Sequence, residues 1–219
     1  DIVAAGYAAR PAELRRLDLR RQGMLDWFQQ PDMLGYVCYA DRFAGDLRGA
    51  ARLAASEAQR YFGDGRVYAE TYVERPRHIE VQVLGDGHEV MALGERECTL
   101  QRRFQKLVEI APSPTLPAAL RRHIIDSSLR MAGELRYEGL GTFEFLVDPA
   151  SAELPCVFIE ANARLQVEHT ITEAVTGIDL VQTQLRLAAG QRLADAGLDA
   201  SAPPAPRGHA IQWRINAET

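Results

Sequence analysis

Hydrophobic and polar positions alternate along this chain with two periods, and the changes of period mark its elements. Residues 11–21 form a charged stretch at helical spacing. Residues 34–39 read as one buried strand, and one strand without a partner in its own segment cannot build a sheet. Residues 50–62 are Ala-rich and helical, stopped by Gly63-Asp-Gly65. Strand patterns follow at 67–73, 79–84 and 90–93, with a hairpin turn at Gly85-Asp-Gly87. Residues 116–137 return to helical spacing through Leu120, Ile124, Ile125, Leu129, Ala132 and Leu135, with Pro117 near the start. Residues 178–189 predict a second helix, ended by Gly190. A Pro-rich linker at 200–206 precedes a strand at 208–217. Several hairpin strands with interspersed helices predict an α+β fold.

The most informative pattern lies between the two helices. In residues 141–148, Phe143, Phe145 and Val147 alternate against Glu144. A short turn-rich connection, 149–155, leads to Val157, Phe158 and Ile159, so the two strands are expected to form a hairpin with Glu144 and Glu160 on neighbouring strands. After Ile159 come Glu160, Asn162, Arg164, Gln166 and Glu168, spaced by two. In an extended chain all five point the same way. Burying such a row without partners costs several kcal/mol per charge. The row therefore predicts a ligand: a hard cation near Glu160 and Asn162, and an anion near Arg164. Two carboxylates and an amide oxygen suit Mg²⁺ or Mn²⁺ rather than zinc, and Mg²⁺ on few carboxylates shares its shell with substrate phosphates.

Composition narrows the class. The 219 residues carry 47% hydrophobic and 25% charged residues, ordinary for a globular protein. A net charge of −5 argues against general nucleic-acid binding. No apolar run approaches membrane-spanning length, and no signal peptide opens the chain. Cys38, Cys98 and Cys156 are scattered without a Cys-x-x-Cys pair and read as reduced, inert thiols of a cytoplasmic protein.

Seven ordered runs resemble the central part of biotin carboxylase, the ATP-grasp component of acetyl-CoA, propionyl-CoA and pyruvate carboxylases. They are Phe62-Gly-Asp-Gly-Arg-Val-Tyr68, Tyr72-Val-Glu-Arg-Pro-Arg-His-Ile-Glu-Val-Gln82, Gly94-Glu-Arg-Glu-Cys98, Gln101-Arg-Arg-Phe-Gln-Lys106, Gly141-Thr-Phe-Glu-Phe145, Ile159 to His169, and Gly208-His-Ala-Ile-Gln-Trp-Arg-Ile-Asn-Ala-Glu218. The run Arg164-Leu-Gln-Val-Glu-His169 sets biotin carboxylases apart from other ATP-grasp enzymes such as carbamoyl-phosphate synthetase.

The resemblance implies a chemistry: ATP and bicarbonate give carboxyphosphate, which carboxylates the ureido nitrogen of biotin on a carrier protein. It implies Glu144, Glu160 and Asn162 as holders of Mg²⁺ or Mn²⁺, and Glu70, Thr71, Tyr72 and Val73 as the adenine-side segment. His78 and Gln101 are implied as polar residues of the nucleotide site. Lys106, Arg164, Gln166 and the backbone of Val167 would hold bicarbonate, Glu168 would be its general base, and Arg214 would stabilise the charge developing on biotin. Either Arg102 or Arg103 would brace the site. Implied partners are a biotin carboxyl carrier protein and a carboxyltransferase, with a homodimer possible. The implied fold is a partial ATP-grasp domain, an antiparallel sheet with packed helices, at 50–207, with the start of a C-terminal domain at 208–219.

Three departures stand out: Thr71 where Lys is common, Phe104 where His is frequent, and Ala163 in place of Pro or Thr. The family's glycine-rich phosphate loop, expected a little upstream of residue 50, has no counterpart here. Residues 1–49 instead resemble the entry to the barrel of amylosucrase-type glycoside hydrolases, an unrelated helix-plus-strand segment. None of that family's catalytic carboxylates has a counterpart, so no glucosyl transfer from sucrose is implied. The expectation is biotin carboxylase chemistry impaired by truncation. The alternative is an inactive nucleotide- and metal-binding fragment of a fused or misassembled gene.

Overall fold

The computed structural model describes residues 47–67, 76–102, 105–148 and 156–215. The chain divides into two compact units, 1–74 and 75–219. The strands expected at 34–39 and over most of 67–73, and the helix at 11–21, lie outside the described residues. In the first unit, helix α1 (Leu47–Phe62) buries Ala54 and Ala58, one turn apart. Gly63 ends it at φ 75°, its N–H bonding Gln59 O at 3.1 Å.

The second unit is built on one antiparallel sheet: β1 (Arg77–Asp86), β2 (Val90–Arg102), β3 (Gln105–Ala111), β4 (Glu138–Val147), β5 (Cys156–Asn162) and β6 (Ala210–Trp213), in the order β5-β4-β1-β2-β3-β6. Helices α2 (Ala118–Glu134), α3 (His169–Thr176) and α4 (Leu180–Ala188) complete it. None of the helices described is long and apolar enough to cross a membrane.

Alternation on β1 separates the two faces. Ile79, Val81 and Val83 point one way and are fully buried, as are Phe143 and Val147 of β4. On that side Arg121 of α2 bonds Glu95 of β2 at 2.8 Å. The other side carries polar side chains at one end of the strands. At the other end it carries an apolar cluster of Leu84, Met91, Leu93, Leu140, Leu180 and Leu193, which seats α4. Ile171 and Val175 of α3 pack on Ala111 and Ala210. Gly141 leaves room for the Tyr137 hydroxyl, which a Cβ there would meet.

Several expectations need correction. The strand expected at 90–93 runs on to Arg102, and a strand at 105–111 and a helix at 169–176 had no pattern to announce them. Glu95, Arg96, Glu97 and Lys106 break the apolar alternation, and each is held by ion pairs that a sequence does not display. Among the described residues, the strand expected at 208–217 covers the four residues of β6, which pair with β3 at the sheet edge; 216 and 217 lie outside the described residues.

Candidate active site

Register places the chemistry in a line across the sheet. Glu80 of β1 pairs with Arg96 of β2 on one side and Glu144 of β4 on the other, and Glu144 pairs with Glu160 of β5. The next rung is Gln82, Thr142 and Asn162. Three carboxylates in adjacent register repel one another, and the surrounding groups show how this is offset.

Arg96, fully buried, donates to Glu80 Oε1 at 2.5 Å, Gln82 Oε1 at 2.7 Å, Thr142 Oγ1 at 3.2 Å and Thr172 Oγ1 at 2.8 Å. Lys106 donates to Glu80 Oε2 at 2.5 Å, Glu168 Oε1 at 2.7 Å and Glu144 Oε1 at 3.3 Å. Burial alone would pull the Lys106 amine down. The Glu80, Glu144 and Glu168 carboxylates win, and it is held above the usual lysine range.

Glu144 also accepts from His78 Nε2 at 2.6 Å, Asn162 Nδ2 at 2.9 Å and Gln166 Nε2 at 3.2 Å. The Gln101 amide nitrogen donates to Cys98 O and to His78 Nδ1, each at 2.8 Å. That leaves His78 Nε2 to donate to Glu144. Burial pushes the Glu144 carboxyl up, but the His78 hydrogen bond and the Lys106 ammonium bring it down to about 2.

Glu168 is clamped between two cations, Lys106 and the Nη2 of Arg214 at 2.8 Å. Burial raises its pKa, Lys106 more than offsets that, and the net direction is down.

The hairpin expectation stands: β4 and β5 pair, and Asn162 Nδ2 bridges Glu144 and Glu160 at 2.9 Å each. Glu160 is exposed at the open side of this trio. The single extended face from Glu160 to Glu168 does not stand. β5 ends at Asn162, Arg164 N–H turns back to Asn162 O at 2.9 Å, and His169 N–H bonds Gln166 O at 3.2 Å. Gln166 and Glu168 reach the carboxylates by a turn into α3, not by strand alternation. Arg164 stays exposed, its Nη1 3.5 Å from Leu165 O, and Val167 is exposed on the turn.

Glu70, Thr71, Tyr72 and Val73 lie outside the described residues, as do Arg103 and Phe104. Arg102 is exposed. Burial pushes the Cys98 and Cys156 thiols up, in keeping with inert cysteines.

Sequence reasoning missed Glu80, Arg96 and Glu109. A signal existed for Glu80, since His78, Glu80 and Gln82 form the same spaced-by-two polar run as Glu160 and Asn162. Arg96 and Glu109 are single charges inside strands and gave none.

The trio fits a hard divalent cation. An amide N–H now stands between the two carboxylates, and turning the Asn162 amide over would present a third oxygen at the same place. Carboxylates also outnumber the fixed cations here: Glu80, Glu109, Glu144 and Glu168 pair with Arg96, Lys106 and Arg214.

The antiparallel sheet that carries Glu144, Glu160 and Asn162 on β4 and β5 beside the half-buried Lys106 matches part of an ATP-grasp domain. Residues 41–196 match the family described as the ATP-binding domain of the carbamoyl-phosphate synthase L chain, and the chain belongs to that family. Pyruvate carboxylase 1 of Caenorhabditis elegans is 51% identical over 174 residues, which cover 79% of this chain and 14% of that protein. Pyruvate carboxylase of Aspergillus niger is 48% identical over 178 residues, covering 81% and 15%. The chain thus spans 14% and 15% of the length of these two relatives.

Solved structures agree. The biotin carboxylase β-γ-ATP complex from Campylobacter jejuni superposes with a TM-score of 0.71 at 44% identity, over 79% of this chain and 37% of that one. The biotin carboxylase domain dimer of Hydrogenobacter thermophilus 2-oxoglutarate carboxylase, solved with MgADP, ADP and bicarbonate, gives 0.66 at 44% identity, over 78% and 36%.

Proposed function

We propose that this chain carries the cation- and bicarbonate-facing part of a biotin carboxylase site. The reaction joins bicarbonate oxygen to the γ-phosphorus of ATP, releasing ADP and carboxyphosphate. The carboxyl group then passes to the ureido nitrogen of biotin, phosphate leaves, and a carboxyltransferase takes the product from the biotin carrier protein.

Glu144, Glu160 and Asn162 would hold Mg²⁺ or Mn²⁺, which supplies charge neutralisation on the phosphates. His78 and Gln101 keep Glu144 ionised and oriented. Lys106 and Gln166 lie beside Glu168, and Arg164 stands exposed on the turn as a fork for a planar anion. Glu168 would take the bicarbonate proton, and Arg214 would face the charge that develops on biotin.

The observation that carries this proposal is Glu168. It is a buried carboxylate with one oxygen on Lys106 and the other on Arg214, so it is ionised and a proton acceptor lies between two cations. The test is ADP release that depends on bicarbonate and is raised by free biotin. Glu168→Gln is expected to lower it by about 10²–10⁴-fold, the usual worth of a general base. Equal rates in the two proteins would refute the assignment.

A further inference from the structure

Glu109 has no part in the mechanism above, yet it is fully buried and only half satisfied. Its Oε1 accepts from Arg214 Nε at 2.6 Å, while Oε2 is buried with no hydrogen-bond partner. A carboxylate kept merely for stability would be a poor choice there, since apolar packing serves as well without an orphaned oxygen.

Register explains why the two meet. β3 and β6 pair Glu109 with Gln212 and Val108 with Trp213, and Arg214 N–H bonds Leu107 O at 2.9 Å. The guanidinium is then divided between two carboxylates, with Nε on Glu109 and Nη2 on Glu168. Among the described residues no group accepts from Nη1. A guanidinium pinned at one point can swing about its stem, whereas one pinned at Nε and Nη2 has its plane fixed.

We infer that Glu109 is the positioning residue of Arg214: its buried carboxylate grips Nε, so that Nη2 rests on Glu168 and Nη1 stays open for substrate. This rests on the role proposed above for Arg214. Glu109 acts only through that arginine.

Two measurements on the full chain test it. In nitrogen-edited NMR the Arg214 Nε–H signal, identified by its loss in Arg214→Ala, is expected to be shielded from solvent exchange. It should persist in Glu109→Gln, whose amide oxygen still accepts, exchange faster in Glu109→Asp, and vanish in Glu109→Ala. An unshielded signal in the parent, or one that survives Glu109→Ala or is unchanged in Glu109→Asp, overturns the inference. The aspartate variant decides the matter even if the alanine variant fails to fold.

In the second measurement, biotin-dependent ADP release is expected to fall by about 10–100-fold in Glu109→Ala, as for a misplaced catalytic group. KM for ATP should stay unchanged, and most of the rate should return in Glu109→Gln. A loss that appears only in KM for ATP counts against Glu109. If Arg214→Ala leaves the biotin-dependent rate intact, the role of Arg214 itself is wrong, and the NMR result still decides whether Glu109 holds it.

Discussion

Glu144 shows most directly how single residues set this site. It is nearly fully buried, and it remains an anion because His78, Lys106, Asn162 and Gln166 all address its two oxygens. A group whose pKa falls from 4.5 to about 2 on folding favours the folded state above its unfolded value. That stabilisation is complete above pH ~5 and disappears as the pH drops toward ~2. Its size is at most ~3.5 kcal/mol, because each tenfold change in proton affinity is worth about 1.4 kcal/mol. Glu144→Gln, which cannot titrate, should therefore be less stable than the parent at pH 7, and the gap should close on acidification. Thermal melts at several pH values between 7 and 3 measure this directly. Parallel curves for the two proteins would show that Glu144 is not the group involved.

At the scale of elements, Arg96 ties the site together. One side chain of β2 bonds Glu80 and Gln82 of β1, Thr142 of β4 and Thr172 of α3. It holds α3, and with it Glu168 at the helix start, against the sheet. Arg96→Met would leave Glu80 buried beside Lys106 alone, and removing one partner of a buried pair costs about 3–5 kcal/mol. Adding Glu80→Leu should restore part of that loss, so the double variant falls short of the sum of the singles in denaturant melts. Strict additivity would mean that the two do not act as a pair.

These ties also explain what could be read from the chain in advance. The β4–β5 hairpin was legible because Phe143, Phe145 and Val147 alternate cleanly against Glu144. The spaced-by-two row holds for Glu160 and Asn162 and fails only past Asn162, where the chain turns; the apolar start of β5 has an irregularity of its own. A register shift there sets Phe158 opposite Phe145 and Glu160 opposite Glu144, leaving Ile159 as the extra residue of a bulge. Phe158 therefore packs edge-to-face on the Phe145 ring, centroids 5.6 Å apart, while Glu160 shares Asn162 with Glu144. β3 and α3 were illegible for a different reason. Glu109 and Thr172 sit in them as buried polar groups and Lys106 as a half-buried one, and only their partners on other elements make that burial tolerable.

For the molecule as a whole, the surplus of carboxylates over cations joins ligand binding to stability. Glu144 and Glu160 share the Asn162 amide nitrogen, and a nucleotide phosphate alone would meet repulsion from both carboxylates. ATP alone should thus stabilise the chain little, and Mg²⁺ with ATP should stabilise it clearly. A ligand at a hundred times its Kd adds about 2.7 kcal/mol, which for a unit of this size raises Tm by roughly 5–10 °C. Because Glu144 lies on a central strand, between β1 and β5, that gain should appear in the main unfolding transition and not only in a local opening of the turn after Asn162. Replacing both Glu144 and Glu160 by Ala should abolish the Mg²⁺-dependent shift, and a cooperative ligand-free melt, lowered by the loss of the Glu144 contacts, shows that the variant still folds. An equal shift in the presence and absence of Mg²⁺, or one that persists in the double variant, would place the cation elsewhere and detach the β4–β5 trio from nucleotide chemistry.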